Sequence, residues 1–205
     1  MTKGSGGHDG TLSITMPIRF PIDPQLKDGS ALRLALAEPK DTESLRCLYK
    51  VIVEEGTSYP HEQMPSNKDF QAYWLGGCGT VVAFVPTGTG SPELAGAYYV
   101  KANWPGRASH VANAGFIVAP KWPGKGLARL LGETMLDHAR GLGFRSVIFN
   151  LVFSENHVAH GLWKQLGFRV LGTIPQAVRK KDGTYQDAFI MFRSLDNDCP
   201  LTDRP

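Results

Sequence analysis

The chain contains few cysteines, no long apolar run and little net charge, and each shortage excludes a class of protein. Its three cysteines, Cys47, Cys78 and Cys199, form an odd set without Cys-x-x-Cys spacing, which argues against a zinc site and a disulfide framework. No stretch approaches the roughly 18 apolar residues of a membrane-spanning helix. A net charge of +3 gives no reason to expect nucleic-acid binding, and we expect the densest basic cluster, Arg179-Lys180-Lys181, to be a solvated turn. We therefore expect a reduced, cytoplasmic protein with no metal, nucleic-acid partner or membrane segment.

The rest of the composition is that of one globular domain. The length of 205 residues suits a single domain of ordinary size, and 42% of the residues are hydrophobic. The first ten residues are polar and rich in glycine, without the apolar segment of a signal peptide. We expect residues 1–30 to hold a flexible tail and an extra strand at 11–20, residues 31–195 to form the domain, and residues 196–205 to be a second tail.

Strand-like and helix-like segments alternate along the domain, which predicts an α/β fold. The predicted segments are a strand at 32–36, a helix after Asp41, a helix capped by Ser66 or Asn67, a hairpin of 80–85 and 94–100, a strand at 111–118, a helix from 127, a strand at 146–149, a helix at 156–166, and closing strands at 168–174 and 185–192. The apolar stripe of the first helix is expected to bury Cys47.

A glycine loop stands between the strand at 111–118 and the following helix. Its sequence is Lys121-Trp122-Pro123-Gly124-Lys125-Gly126. The first N–H groups of a helix have no partner within it and can hold a pyrophosphate, and glycine omits the Cβ that would obstruct close approach. Arg129 occupies the third glycine position of a Rossmann fingerprint, and the Gly-Lys-Ser/Thr of a P-loop is missing. The two lysines of the loop would add positive charge beside the phosphates.

A second motif follows the next strand and reads Asn156-x-x-Ala159-x-x-x-Trp163-x-x-x-Gly167-Phe168. Together the two motifs resemble the GCN5-related N-acetyltransferase superfamily, whose loop reads Gln/Arg-x-x-Gly-x-Gly/Ala and which often has Tyr at the position of Trp163. The resemblance implies an acetyl-CoA-dependent N-acetyltransferase, an acyltransferase without a metal. It also implies a mixed, mostly antiparallel sheet of about seven strands, flanked by helices, with a V-shaped splay between the fourth and fifth strands.

The resemblance also assigns roles to residues. The backbone at 116–118 would hold the pantetheine arm, and an N–H of Phe116 or Ile117 would polarise the thioester carbonyl. The amine would attack directly, and Asn156 would face coenzyme A or a water near the thioester. Trp163 offers no usable acid, so we expect it to pack between helix and sheet. The residues implied in cofactor binding are Phe116, Ile117, Val118, Lys121, Gly124, Lys125, Gly126, Leu127, Ala128 and Asn156.

A narrower resemblance rests on Trp104-Pro105-Gly106-Arg107-x-Ser109-His110, Asn113-Ala114-Gly115-Phe116 and Phe149-Asn150-Leu151-Val152. These segments are similar to the fungal acetyltransferases that detoxify the proline analogue azetidine-2-carboxylate. The similarity implies a small amine as acceptor, such as a cyclic secondary amino acid, and a homodimer. Asn113 and Asn150 would bind this acceptor, Trp104 would shape its pocket, and Asn150, Asn156 and Phe116 would serve catalysis. The candidate bases are His110, Glu155 and His157.

Two other functions stay open at this point. A protein N-terminal acetyltransferase would need an open groove for an extended peptide, and the loops at 59–66 and 175–184 would decide whether one exists. A non-catalytic coenzyme A-binding module would keep the glycine loop and bind acetyl-CoA without turnover.

Overall fold

The computed structural model describes residues 17–88, 90–122 and 124–196. Its centre is a seven-stranded sheet in the order β1-β2-β3-β4-β5-β7-β6. The strands are β1 (Arg33–Leu36), β2 (Gly79–Val85), β3 (Glu93–Ala102), β4 (Val111–Val118), β5 (Ser146–Phe153), β6 (Arg169–Arg179) and β7 (Tyr185–Ser194). Neighbouring strands are antiparallel except β4 and β5, which are parallel. The predicted α/β fold with a mixed, mostly antiparallel sheet is confirmed.

Helices cover both faces of the sheet. They are α1 (Thr42–Glu55), α2 (Asn67–Trp74), α3 (Leu127–Gly141) and α4 (His157–Gln165). α1 and α2 pack on one face through buried Tyr49, Phe70 and Trp74, whereas α3 and α4 pack on the other. Leu131 and Met135 of α3 are four residues apart and fully buried, because this spacing puts both on one side of a helix. Burying a side chain of this size contributes about 1.5–3 kcal/mol, so the two apolar faces fix the helices on the sheet.

The domain begins earlier than residue 31. Ile22 and Leu34 exchange two backbone hydrogen bonds of 2.8 and 2.9 Å, and Leu26 is only 5% exposed. Residues 22–30 therefore pack on β1 and do not form a free tail. Of the extra strand predicted at 11–20, residues 11–16 lie outside the described part, and residues 17–20 are not a strand. The tail predicted at 196–205 lies outside it as well, apart from Asp196, whose carboxylate accepts from Arg145 Nε at 2.7 Å.

Two further expectations were wrong. Cys47 is exposed on α1, while its neighbours Leu45 and Leu48 are buried, so the cysteine lies beside the apolar stripe and outside it. Cys199 lies outside the described residues. β6 continues to Arg179, where a closing strand was predicted to end at 174, because a register shift between Ile174 and Val178 lets it pair again with β7.

Candidate active site

β4 and β5 separate after a short paired stretch. They pair only at Val111 with Ser146 and at Ala112 with Val147. The next residue of β4, Asn113, donates from its side-chain nitrogen to the carbonyl oxygen of Ile148 at 2.9 Å. Beyond this point the strands diverge and a cavity of about 630 Å³ opens between them. The predicted V-shaped splay between the fourth and fifth strands is confirmed.

Many of the residues selected from sequence line this cavity. They are Asn113, Phe116, Ile117, Val118, Ala128, Asn150 and Asn156. The lining does not include Trp104, Lys121, Gly124, Lys125, Gly126 or Leu127. Trp104 is 47% exposed in the turn after β3, so the structure does not bring it to the acceptor pocket.

Only alternate residues of β4 turn their backbone N–H and C=O groups towards the cavity. Ala119 N donates to Ala95 O at 2.8 Å, which shows that this residue turns its backbone to β3. Alternate residues of an antiparallel strand bond the same neighbour, so Ile117 also turns to β3, and the N–H groups of Phe116 and Val118 face the gap. Of the two predicted oxyanion donors, Phe116 and Ile117, only Phe116 therefore turns its N–H to the gap.

The glycine loop leads into α3 without a capping side chain. Gly126 is the N-cap residue, with φ of 85°, and Gly124 has φ of 70°, a region that other residues seldom adopt. The first N–H groups of α3 therefore have no side-chain partner at their N-cap. Lys125 forms an ion pair with Asp28 at 2.9 Å, and Lys121 pairs with Glu93. Both lysines are compensated by carboxylates, so the backbone is the part of this loop that is ready for a pyrophosphate.

Two asparagines make defined side-chain contacts. A bulge between Phe149 and Val152 of β5 exposes Asn150, whose amide nitrogen donates to Asn103 Oδ1 at 2.6 Å. Asn156 caps α4, since its Oδ1 accepts from Ala159 N at 3.0 Å. Its amide nitrogen donates to Ser58 Oγ at 3.2 Å. Asn156 thus connects α4 to the segment after α1 through its side chain.

None of the proposed bases lines the cavity. Glu155 is paired with Lys180 at 3.0 Å, and His110 and His157 lie on the surface. The ionisable residues that do line it are Glu55, Tyr59, Tyr73, Tyr99 and Lys101. Burial raises the pKa of all three tyrosines, so they stay protonated near neutral pH.

Sequence reasoning missed two residues of the cavity lining, Lys101 and Tyr59. Lys101 directly follows the segment 94–100 that was predicted as half of a hairpin, and the structure extends β3 through Lys101 to Ala102. Tyr59 donates from its hydroxyl to Phe116 O at 3.0 Å, although the two are 57 residues apart. No local pattern predicts that contact.

The basic turn, residues 179–181, is not freely solvated. Arg179 pairs with Glu62 at 2.5 Å, Lys180 pairs with Glu155 at 3.0 Å, and the Lys181 ammonium donates to Glu54 O. A Cβ built on Gly56 would lie 3.0 Å from Lys181 Cε, so the lysine also covers the end of α1. The turn between β6 and β7 therefore holds the segment 54–62, part of which lines the cavity.

Comparison with known proteins identifies the family. The model of the acetyltransferase (GNAT) family matches residues 45–168. The chain belongs to this family. N-acetyltransferase aca1 of Schizosaccharomyces pombe is 35% identical over 161 residues, which are 71% of this chain and 77% of that protein. L-amino acid N-acetyltransferase AaaT of Escherichia coli is 32% identical over 87 residues, 42% of this chain and 53% of its own length. Among solved structures, a GCN5-related N-acetyltransferase from Kribbella flavida is 33% identical with a TM-score of 0.72, covering 80% of this chain and 97% of its own.

As a GNAT protein the chain is an acyltransferase that uses acetyl-CoA. The residues present fit this co-substrate. The uncapped start of α3 would hold the pyrophosphate, and the N–H groups of Phe116 and Val118 would hold the pantetheine arm in the V. In the described ranges no group of three His, Cys, Asp or Glu side chains could hold a metal ion, and no helix has the length and apolar character to cross a membrane.

Trp163 packs where the GNAT superfamily often has tyrosine. Its ring lies 4.7 Å from that of Phe116 and 4.8 Å from that of Phe149, and the residue is 7% exposed. Gly132 on α3 allows this packing, because an added Cβ would lie 3.2 Å from the indole. Trp163 therefore forms the apolar wall between the two arms of the V.

Proposed function

We propose that this GNAT enzyme acetylates a small amine that carries a carboxylate, such as azetidine-2-carboxylate or a hydroxyproline. Its role would be to detoxify such a proline analogue by acetylation. The observation that carries the proposal is the contact between the basic turn and segment 54–62, part of which lines the cavity. Arg179, Lys180 and Lys181 of the turn pair with Glu62, Glu155 and the carbonyl oxygen of Glu54. A small acceptor needs no groove that runs out of the cavity, whereas a peptide does.

The amide side chains support an amino-acid acceptor. Asn113 and Asn150 line the cavity on opposite arms of the V. The Asn113 amide oxygen can still accept from an amine while its nitrogen bonds Ile148 O. The E. coli relative is named an L-amino acid N-acetyltransferase, and amino acids are the same class of acceptor.

The mechanism that suits these residues is direct transfer. Acetyl-CoA supplies the activated acetyl group. The Phe116 N–H would donate to the carbonyl oxygen on which negative charge develops. Glu55, the carboxylate of the cavity lining, would take the proton of the attacking amine directly or through water. A new C–N bond replaces the C–S bond, and the thiolate, whose thiol has an ordinary pKa of about 8.5, leaves without help from Trp163.

Acetylation of protein N-termini is the second candidate, and the same segments argue against it. The segments that would decide whether a peptide groove exists, at 59–66 and 175–184, are joined by the ion pair between Glu62 and Arg179. A non-catalytic coenzyme A-binding module is the third. A cavity that continues past Phe116 to Asn113 and Lys101 would have no purpose in such a module.

The experiment compares a free amino acid with a peptide that begins with it. Values of kcat/KM are measured by thiol release for azetidine-2-carboxylate, cis-4-hydroxyproline and a tripeptide with the same N-terminal residue. We expect turnover of the free acids and none of the tripeptide. Preference for the tripeptide would replace this proposal by N-terminal acetylation, and acetyl-CoA binding without any turnover would replace it by the binding module.

A homodimer is part of the proposal. β6 is an edge strand, and it exposes Val170, Leu171 and Ile174. Unpaired edges with apolar side chains tend to associate, so β6 is a suitable interface. Light scattering at micromolar concentration is expected to give twice the mass of 22.4 kDa, and the monomer mass would argue against it.

We also keep a cytoplasmic location within the proposal. Cys47 and Cys78 are exposed and free, a state that a reducing compartment maintains.

A further inference from the structure

Lys101 occupies a special place in the cavity. It lies on β3 directly opposite Asn113 of β4, and directly opposite residues of an antiparallel pair point to the same face. Both residues line the cavity. Tyr99, two residues earlier on β3, lies opposite Gly115 on the same face. Lys101 therefore lies closer than Tyr99 to the narrow end of the V, where the pairing of β4 and β5 ends at Ala112.

The ammonium group of Lys101 contacts aromatic rings. Its Nζ lies 4.6 Å from the ring centroid of Tyr73 and 4.7 Å from that of Tyr99. No carboxylate of residues 17–88, 90–122 or 124–196 lies within 4 Å of it. By contrast, Lys121, Lys125 and Lys180 each pair with a carboxylate.

The surroundings of Lys101 compensate its charge incompletely. Burial lowers the pKa of its ammonium group below the ordinary 10.5, which shows that the charged form has lost solvation. The faces of the two tyrosine rings offset part of the lost solvation free energy. A partly buried cation is nevertheless stabilised best by an anion with hydrogen-bonding oxygens. The other charged residue of the lining, Glu55, is exposed at the end of α1.

We propose that Lys101 binds the carboxylate of the acceptor and makes the enzyme selective for amino acids over uncharged amines. The inference rests on the proposed function and names the group that recognises the acceptor's carboxylate. Along β4, Asn113 precedes Phe116 by three residues, roughly 10 Å at the usual rise of a strand. A Lys101 side chain covers part of this distance, and a carboxylate bound at its tip directs the adjacent amine towards Phe116.

The absence of a side chain at Gly115 allows Tyr99 and Tyr59 to lie against β4. A Cβ at this position would lie 2.5 Å from Tyr99 Cε1 and 2.8 Å from the Tyr59 hydroxyl oxygen. Without a side chain there, Tyr99 packs against β4 and supports the lysine from one side. The carboxylate site thus depends on a glycine, two tyrosines and a lysine that the sequence does not show as a group.

The test replaces the charge and compares matched acceptors. Lys101→Met keeps the length of the side chain, Lys101→Arg keeps the charge, and Lys50→Met is a surface control on α1 with its side chain 62% exposed. For each variant kcat/KM is measured with azetidine-2-carboxylate and with its carboxamide, after thermal melting has confirmed the fold. Lys101→Gln serves as the neutral variant if Lys101→Met does not fold.

We expect Lys101→Met to lower kcat/KM for the carboxylate about 10- to 100-fold, the scale of a hydrogen bond to a charged group, and to change the value for the carboxamide less than about 2-fold. Lys101→Arg should keep the preference for the carboxylate, and the affinity for acetyl-CoA should not change. Equal losses for both acceptors, or no loss, would overturn the role of Lys101 while leaving the proposed function intact. If the wild-type enzyme acetylates no carboxylate-bearing amine, the proposed function fails and the role of Lys101 fails with it.

Discussion

The side-chain amide of Asn113 donates to the carbonyl oxygen of Ile148 at 2.9 Å, immediately after the last paired residues of β4 and β5. A backbone carbonyl at the point where two strands part would lose its partner, and Asn113 supplies one. The same residue lines the cavity beside Lys101. The Asn113 amide thus supplies a hydrogen-bond donor to Ile148 O where the strands part, and it is also positioned to meet the acceptor.

Two asparagine variants separate these roles. Asn113→Ala should lower the free energy of unfolding by about 1–3 kcal/mol, since it leaves Ile148 O without its partner, and should cost a similar free energy in kcat/KM. Asn150→Ala should reduce kcat/KM on the same scale with little change in stability, because its contact with Asn103 is on the exposed side of β5. Urea unfolding and steady-state kinetics measure both. Unchanged kcat/KM for both variants would remove these residues from the acceptor site.

Substitution of the glycine loop should weaken acetyl-CoA binding. Gly124→Val and Gly126→Val place a branched side chain where the pyrophosphate is expected, and both positions have φ values that strain other residues. Calorimetry measures the affinity. Gly143→Val is the matched control: φ is 85° at the end of α3, and an added Cβ would meet nothing within 4 Å. This control should lose stability and keep its affinity, and a loop variant that is folded and binds normally would refute the assignment.

Trp163→Phe should keep most of kcat. The indole fills space against Phe116 and Phe149, and phenylalanine preserves an aromatic ring there at the cost of a small cavity. Stopped-flow or steady-state thiol release measures kcat, with thermal melting as the check on folding. A loss of more than about 100-fold in a normally stable variant is of the size that general acid–base catalysis supplies, and it would show that the indole takes part in the chemistry.

Stability should fall as the pH is lowered below about 6.5 because of His138. Burial lowers the pKa of this imidazole, which packs against Phe20 and lies 3.3 Å from the Tyr98 hydroxyl. Below pH 6.5 the unfolded chain therefore binds a proton that the folded chain does not, so the stability is complete above that pH and declines until the folded pKa is passed. The limiting slope for one group is about 1.4 kcal/mol per pH unit. His61 and His160 shift in the same direction, so the difference between wild type and His138→Gln isolates one contribution. Equal slopes in urea unfolding from pH 7 to 5 would contradict it.

The sequence predicted the parts of the site that are continuous in the chain. The glycine loop, the start of α3 and the Asn156 motif each depend on residues close together, so their local geometry follows from local rules. Ser66 or Asn67 was predicted as the N-cap of α2, and the structure has Ser66 there, with its hydroxyl oxygen accepting from Asp69 N at 3.2 Å. The hairpin of β2 and β3 was predicted for the same reason.

The parts that were missed depend on distant contacts. Lys101 was not selected because its significance comes from Tyr73 on α2 and from Asn113 on the next strand. Residues 179–181 looked like a solvated turn because Glu62 is more than a hundred positions away. Asn156 lines the cavity as predicted for a residue facing coenzyme A, but its bond to Ser58 joins residues 98 positions apart and could not be predicted. The start of the domain was placed too late, since Pro21 and Pro24 suggested an interruption where Ile22 in fact pairs with Leu34.

The most direct test of the account is product formation from acetyl-CoA and a free proline analogue. Purified enzyme is incubated with acetyl-CoA and azetidine-2-carboxylate, with polyamines and N-terminal peptides in parallel reactions, and mass spectrometry detects the N-acetylated product while thiol release gives the rate. The account predicts an N-acetyl product and thiol release with the small carboxylate-bearing amine, both abolished when the acceptor is omitted. Acetylation of peptides or polyamines alone, with none of any carboxylate-bearing small amine, would contradict it.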